Sequence, residues 1–193
     1  MTTHPTTARG GRLEVITGPM FSGKSEELMR RVRRAEIAGV KVAVISHSLD
    51  TRAGSSSITS HIGVRIPAVA VGDVDALAEV VRRDDFALIA IDEAQFFGPA
   101  LVPVVTDLVA AGATVIVEGL CVTFDGRPFE PLPTFMALAE DVLKLTAVCT
   151  ICGRDAVFHR RLADTGMGAT EIDPSHVGGL ESYVARCRTH VDS

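Results

Sequence analysis

The sequence predicts an α/β protein in which a parallel sheet is wrapped by helices and followed by a small unit of different texture. Three observations carry this. Short apolar stretches alternate with helix-favouring ones from residue 13 onward, the pattern of βαβ units. Strands such as FALIAI at 86–91 are apolar throughout rather than alternating, as expected where both faces are covered. After Cys149 the alternation gives way to cysteines, glycines and an irregular stretch.

The first strand is LEVIT at 13–17, which runs straight into a glycine-rich loop. A helix over 25–38 follows. Glu26 and Glu27 lie in its first turn and Arg30, Arg31, Arg33 and Arg34 come later, an order that suits the helix dipole. The arginines read as a solvated helix face, and Gly39 ends the helix. VKVAVIS at 40–46 is the second strand, and the polar, Ser-rich segment 47–60 reads as a mobile loop. Residues 67–71 form a short strand. A helix spans 73–83 with Asp73 as its N-cap. The apolar strand 86–91 precedes a helix over 101–111 that holds Pro103 in its first turn. A strand at 113–118, a helix at 133–140 and a strand at 142–148 complete the series. These elements divide the chain into a flexible tail (1–11), an α/β domain (12–146) and a C-terminal domain (147–193).

The bulk numbers narrow the function. With 193 residues, 47% of them hydrophobic, the chain can build one sizeable core. Its 24 acidic against 19 Lys+Arg residues give a net charge of -5, the wrong sign for a protein that lives by gripping nucleic-acid phosphates. No run reaches the roughly 18 apolar residues of a membrane span, and the N-terminus lacks a hydrophobic signal core. A cytoplasmic protein without nucleic-acid or membrane partners is expected. There the four cysteines read as thiols or metal ligands rather than a disulfide framework.

Three constellations carry chemistry. Gly18-Pro19-Met20-Phe21-Ser22-Gly23-Lys24-Ser25 fits the P-loop pattern between a strand and a helix, the context that pattern requires. Its backbone N–H groups and the helix N-terminus suit phosphate. Lys24 is placed to neutralise the β- and γ-phosphates of ATP and Ser25 to ligate Mg²⁺. Asp92-Glu93 closes an apolar strand whose C-terminal edge is shared with the loop. Asp92 reaches the Mg²⁺ shell, and Glu93, on the other face of the strand, is a candidate general base for an attacking hydroxyl. Last, Cys149-x-x-Cys152 and Cys187-x-x-His190 offer four ligands for a closed, structural Zn²⁺ site. A redox Cys-x-x-Cys is the alternative, although no thioredoxin-like pattern surrounds it.

The loop GPMFSGKS, Asp92-Glu93-Ala94-Gln95-Phe96-Phe97, Lys144-Leu145-Thr146-Ala147-Val148-Cys149 and Cys187-Arg188-x-His190 together resemble the type II thymidine kinases, the family that includes the human cytosolic enzyme. The resemblance runs from about 13 to 190. It implies a RecA-like P-loop NTPase sheet and a small zinc domain carrying a "lasso" loop at about 162–183. It implies transfer of the ATP γ-phosphate to the 5′-hydroxyl of thymidine or deoxyuridine, a homotetramer, and inhibition by the end-product triphosphate. Glu93 maps to the family's base, and Gln95 joins the ATP/Mg²⁺ residues through its place in the DE segment. The nucleoside pocket maps to Met20, Phe96, Leu120, Phe124, Phe129 and Tyr183. Arg52 maps to an arginine near the transfer site, and His176, Val177 and Gly178 to the lasso's grip on the base.

Three positions depart from the family. Cys121 follows Gly119-Leu120 where an aspartate is usual. His159 stands where many members carry a small hydroxyl residue that bonds the base. The lasso contains Pro174, which lacks a backbone donor. Cys121 and His159 motivate a rival reading, a nucleotide-binding sensor without nucleoside turnover. A zinc-bearing nucleic-acid ATPase is disfavoured by the acidic charge and the absence of an aromatic-basic run. His47, His61 and His176 carry no pairing signal and read as surface or loop histidines.

Overall fold

The computed structural model describes residues 10–49, 57–59, 65–162 and 183–192. Along the chain these form β1 (Arg12–Thr17), α1 (Lys24–Ile37), β2 (Val42–His47), β3 (Ser57–Thr59), β4 (Arg65–Pro67) and β5 (Val69–Val71). Next come α2 (Val74–Arg82), β6 (Leu88–Ile91), a 3-10 turn (Ala94–Phe97), α3 (Leu101–Ala110), β7 (Thr114–Gly119), α4 (Leu132–Leu138) and β8 (Asp141–Lys144). The C-terminal part holds β9 (Ala147–Val148), β10 (Asp155–Ala156), β11 (Phe158–Arg161), β12 (Tyr183–Arg186) and a second 3-10 turn (Arg188–His190).

Six strands form one parallel sheet in the order β5-β2-β6-β7-β1-β8. The strand of the glycine-rich loop and the strand of the Asp-Glu pair are therefore not neighbours, because β7 lies between them. Alternate strand residues feed two cores, as the period of two dictates. On one face Val15, Ile45, Ile91 and Val117 pack with Leu77, Leu101 and Phe135 of α2, α3 and α4. On the other, Ile16, Val44, Ala90 and Ile116 pack with Leu28, Met29 and Val32 of α1. This is the sheet wrapped on both faces that the apolar strands predict.

Local signals place the helices. The Ala76 N–H donates to Asp73 Oδ1 at 2.8 Å, so Asp73 caps α2. Pro133 sits in the first turn of α4, where its missing N–H costs nothing. Arg31 departs from the solvated face expected of the α1 arginines. It ion-pairs with Glu27 in its own helix, with Glu14 on β1 and with Asp141 on β8, and so ties α1 to two strands. Hydrogen bonds from Arg30 and Arg31 outweigh partial burial and hold the Glu27 carboxyl at about 2.

Two other expectations change. The strand expected over 142–148 is broken in two. β8 pairs with β1 as far as Lys144, the Leu145 N–H donates to the Thr17 carbonyl at 2.7 Å, and β9 then pairs antiparallel with β10. The expected loop 47–60 contains β3, which pairs antiparallel with β4. Ile58 and Ile66 from this pair are buried in the α1-side core, and that burial decides the local structure over the polar composition. Among the described residues no helix is long and apolar enough to cross a membrane.

Candidate active site

The loop between β1 and α1 carries the first group of site residues. Gly23 precedes α1 with φ 82° and ψ 20°, a left-handed conformation that glycine adopts without strain. Ser22 Oγ donates to the Pro19 carbonyl at 2.8 Å, closing the turn from inside. Lys24 is 8% exposed. Its Nζ donates to the same Pro19 carbonyl at 3.2 Å and lies 3.7 Å from Glu118 Oε1. A buried ammonium over a turn that opens α1 is a fitting seat for a polyanion. Ser25 follows in the first turn of α1. Gly18, Pro19 and Met20 are buried, and Phe21 is half-buried.

Asp92 and Glu93 lie just past β6, 1% and 6% exposed. Strand alternation, which the sequence reading uses to orient Glu93, does not apply to it, because β6 ends at Ile91. The Glu93 φ of 50° and ψ of 44° turn the chain out of the strand in a left-handed conformation, unfavourable for a side chain of this kind. Two side chains hold it there. The Glu93 N–H donates to Glu118 Oε2 at 3.2 Å, and Gln95 Nε2 donates to Glu93 Oε2. Gln95 is fixed in turn, its Oε1 accepting the Leu120 N–H at 3.1 Å. The carboxylates of Asp92 and Glu93 and the hydroxyl of Ser25 are hard oxygen donors of the kind Mg²⁺ takes.

Sequence reading missed Glu118, which appears there only as the last residue of an apolar strand. It is fully buried at the end of β7 and touches both Lys24 and Glu93. The signal that could have found it is the acid itself, since a charge on an interior strand of a parallel sheet must have partners.

The other residues expected in the nucleoside pocket sit in the connections beyond β6 and β7 and in the C-terminal unit. Phe96, Leu120, Phe124 and Phe129 are half-buried. Phe96 packs on His47, ring centroids 5.8 Å apart, and Phe97 packs edge-on against the same ring at 4.6 Å. His47 is therefore buried, not a surface histidine, and burial lowers its pKa. Cys121 is buried in the main core, so the position where an aspartate is usual is filled by apolar packing. His159 on β11 and Tyr183 on β12 are both buried, with ring centroids 5.8 Å apart in T-shaped contact. Burial, and then the charge of Lys24, push the His159 imidazole down to about 4, and its Nδ1 has no hydrogen-bond partner among the described residues. Arg52, His61, His176, Val177 and Gly178 lie outside the described residues.

The four sequence-predicted metal ligands converge. The ligand atoms of Cys149, Cys152, Cys187 and His190 all lie within 4.8 Å of one another. Cys152 Sγ is 3.7 Å from Cys187 Sγ, and His190 Nδ1 is 3.8 Å from Cys149 Sγ and 3.4 Å from Cys187 Sγ. A tetrahedron with zinc–sulfur bonds of about 2.3 Å has edges of about 3.8 Å, so the set fits Zn²⁺. Burial pushes the Cys149 thiol up, but N–H groups of the Cys187, Ile151 and Cys152 backbone and the His190 ring outweigh it and bring it to about 5. The Arg154 side chain lowers the Cys152 thiol. Thiolate is the form a metal takes. The unit meets the phosphate-type loop through Phe21, which packs on the cluster of Ala147, Cys149, Ala156, Ala185 and Cys187.

A buried loop lysine, two carboxylates at the same sheet edge and an adjoining Cys₃His cluster of metal-ligand geometry mark the chain as a nucleotide-binding α/β protein. Comparison with known proteins narrows this. The family model described as thymidine kinase matches residues 11–191. The chain is 48% identical over 191 residues to a thymidine kinase of Deinococcus deserti, covering 94% of each protein. It is 46% identical over 181 residues to one of Coprothermobacter proteolyticus, covering 93% of this chain and 90% of that one. For the thymidine kinase of Deinococcus radiodurans the identity is 46% over 186 residues, with 91% and 87% covered. Among solved structures, a genome-packaging NTPase of Sulfolobus turreted icosahedral virus 2 aligns with a TM-score of 0.46 at 15% identity, covering 70% of this chain and 74% of that one. The chain belongs to the thymidine kinase family.

Proposed function

We propose that this protein is an ATP-dependent thymidine kinase, transferring the γ-phosphate of ATP to the 5′-hydroxyl of thymidine or deoxyuridine. Family membership supplies the reaction. The observation that carries the assignment of roles is the placement of Lys24 and Glu93 against one buried carboxylate, Glu118. In this reading Gly18 to Ser25 cradle the phosphates and Lys24 neutralises the charge that moves with the γ-phosphoryl group. Ser25 and Asp92 would hold Mg²⁺, which supplies charge neutralisation of the phosphate oxygens. Glu93 accepts the 5′-hydroxyl proton as the new P–O bond forms, and Gln95 fixes the carboxylate that does so.

Met20, Phe96, Leu120, Phe124, Phe129 and Tyr183 form the nucleoside pocket with Arg52, His159 and the lasso residues His176, Val177 and Gly178. Zn²⁺ on Cys149, Cys152, Cys187 and His190 anchors the lasso. A cytoplasmic homotetramer restrained by its end-product triphosphate completes the proposal. The rival sensor reading loses one support, because Cys121 is absorbed by the core, and the 46–48% identical relatives are named as kinases.

The test is ADP formation on adding thymidine, deoxyuridine, deoxycytidine or deoxyguanosine, with Glu93→Gln as control. Thymidine-dependent turnover lost in the variant is the expected result. Turnover that no nucleoside stimulates, or that survives in the variant, would overturn the assignment.

A further inference from the structure

Glu118 does something the sequence pattern does not ask of it. Its neighbours on β7 from Val115 to Val117 are apolar and buried, and an ionised side chain among them is costly unless it is bonded. It is met on two sides, by a hydrogen bond on one and by a cation on the other. One oxygen accepts the Glu93 N–H at 3.2 Å, and the other lies 3.7 Å from the Lys24 ammonium. Glu93 has an unfavourable left-handed backbone, as Phe21 of the loop also does, and Glu118 is the group that receives the Glu93 N–H. Glu118 comes from the strand between the loop strand and the base strand, so its carboxylate spans the two halves of the site.

We propose that Glu118 is a positioning residue for phosphoryl transfer, holding the Glu93 backbone so that the Glu93 carboxylate meets the attacking hydroxyl. The inference rests on the kinase reading above. The Lys24 ammonium faces the other Glu118 oxygen, and a shorter or neutral residue in place of Glu118 releases Glu93, Lys24 or both. The two effects separate. Loss of the hold on Glu93 appears in kcat, whereas loss of the negative charge beside Lys24 appears in the KM for ATP. Removing that charge leaves the ammonium entirely to phosphate, and the KM for ATP falls.

The experiment compares wild type, Glu118→Ala and Glu118→Gln, each alone and combined with Glu93→Gln, by steady-state turnover with thymidine and by thermal melting. The amide oxygen of the glutamine variant still accepts the Glu93 N–H. Glu118→Ala is expected to lower kcat about 10- to 100-fold, the cost of misplacing a reacting group by about an ångström. Glu118→Gln is expected to stay within about threefold of wild type in kcat with a lower KM for ATP. In the Glu93→Gln background, Glu118→Ala should cost less than about threefold further in kcat, because residues acting through one another are not additive. A purely structural role predicts kcat losses that follow the melting temperature and add fully, and that outcome overturns the inference. So does an alanine variant with unchanged kcat. If Glu118→Ala does not fold, the glutamine variant and its cycle decide alone. Absence of thymidine-dependent turnover in the wild type fails the kinase reading and takes this inference with it; wild-type turnover with additive losses fails the inference only.

Discussion

Gln95 lies across Gly119 so closely that a β-carbon on the glycine would stand 2.3 Å from Gln95 Oε1. That contact lets one amide reach from the Leu120 N–H on one side to the Glu93 carboxylate on the other. Gly119→Ala must push Gln95 away, because Leu132 at 3.0 Å and the Ala94 nitrogen at 3.3 Å crowd the same methyl group. The expected result is a fall in kcat of about 10- to 100-fold, with ATP binding close to wild type. Titration calorimetry with ADP beside steady-state turnover checks both halves.

Lys24 and Glu118 form a buried pair, and removing one partner leaves the other charge without its counter-ion. Lys24→Met is expected to destabilise the protein by about 3 kcal/mol as well as to weaken ATP binding. Adding Glu118→Gln should recover most of the stability and none of the nucleotide affinity. Denaturant unfolding of the single and double variants measures the first, and nucleotide titration the second. A double variant no more stable than the single one would show that the pair is not what stabilises this corner.

The Cys₃His cluster should carry one zinc per chain. Cys187→Ser is expected to lose the metal and to lower the melting temperature, by roughly 6–12 °C for about 3 kcal/mol lost. Because Phe21 of the loop packs on this cluster, ATP affinity should weaken in parallel. Metal analysis by mass spectrometry, melting curves and ATP titration on the same preparation test the linkage.

His159 gives the protein an acid sensitivity with a defined window. Its imidazole titrates near 4 when folded, burial being the main cause, against an ordinary value of 6.5. Between those values the unfolded chain binds a proton that the folded chain refuses. Stability is therefore full above about 6.5 and falls as pH drops toward 4, by at most about 3 kcal/mol. His159→Gln should flatten that limb. Melting temperatures of the two proteins from pH 7.5 to 4.5 should converge at the acid end relative to their difference at neutral pH.

Much of this was legible in one dimension because the signals are local. The Gly18 to Ser25 spacing, the Asp73 cap and the short Cys/His pairs each span a few residues, and their physics is complete within that span. Glu118 was not legible in this way. Its significance depends on β7 lying between β1 and β6, a strand order that no neighbouring residue encodes. His47 failed for a related reason. Its burial comes from Phe96 and Phe97, about fifty positions further on. The broken strand after Lys144 and the β3–β4 pair show the same limit, since partners in another part of the chain, β10 in one case and the α1-side core in the other, decide them.

The interposed strand has a metric consequence. Parallel neighbours stand about 4.8 Å apart, so the strand that launches the phosphate loop and the strand that ends at the base are held two such steps apart, on the order of 10 Å. That span is written in main-chain hydrogen bonds, which no side-chain substitution can lengthen. Under the proposed roles the sheet is a ruler between phosphate donor and hydroxyl acceptor. In that reading, changes in the pocket walls retune which base is accepted while the strand spacing stays as the backbone drew it.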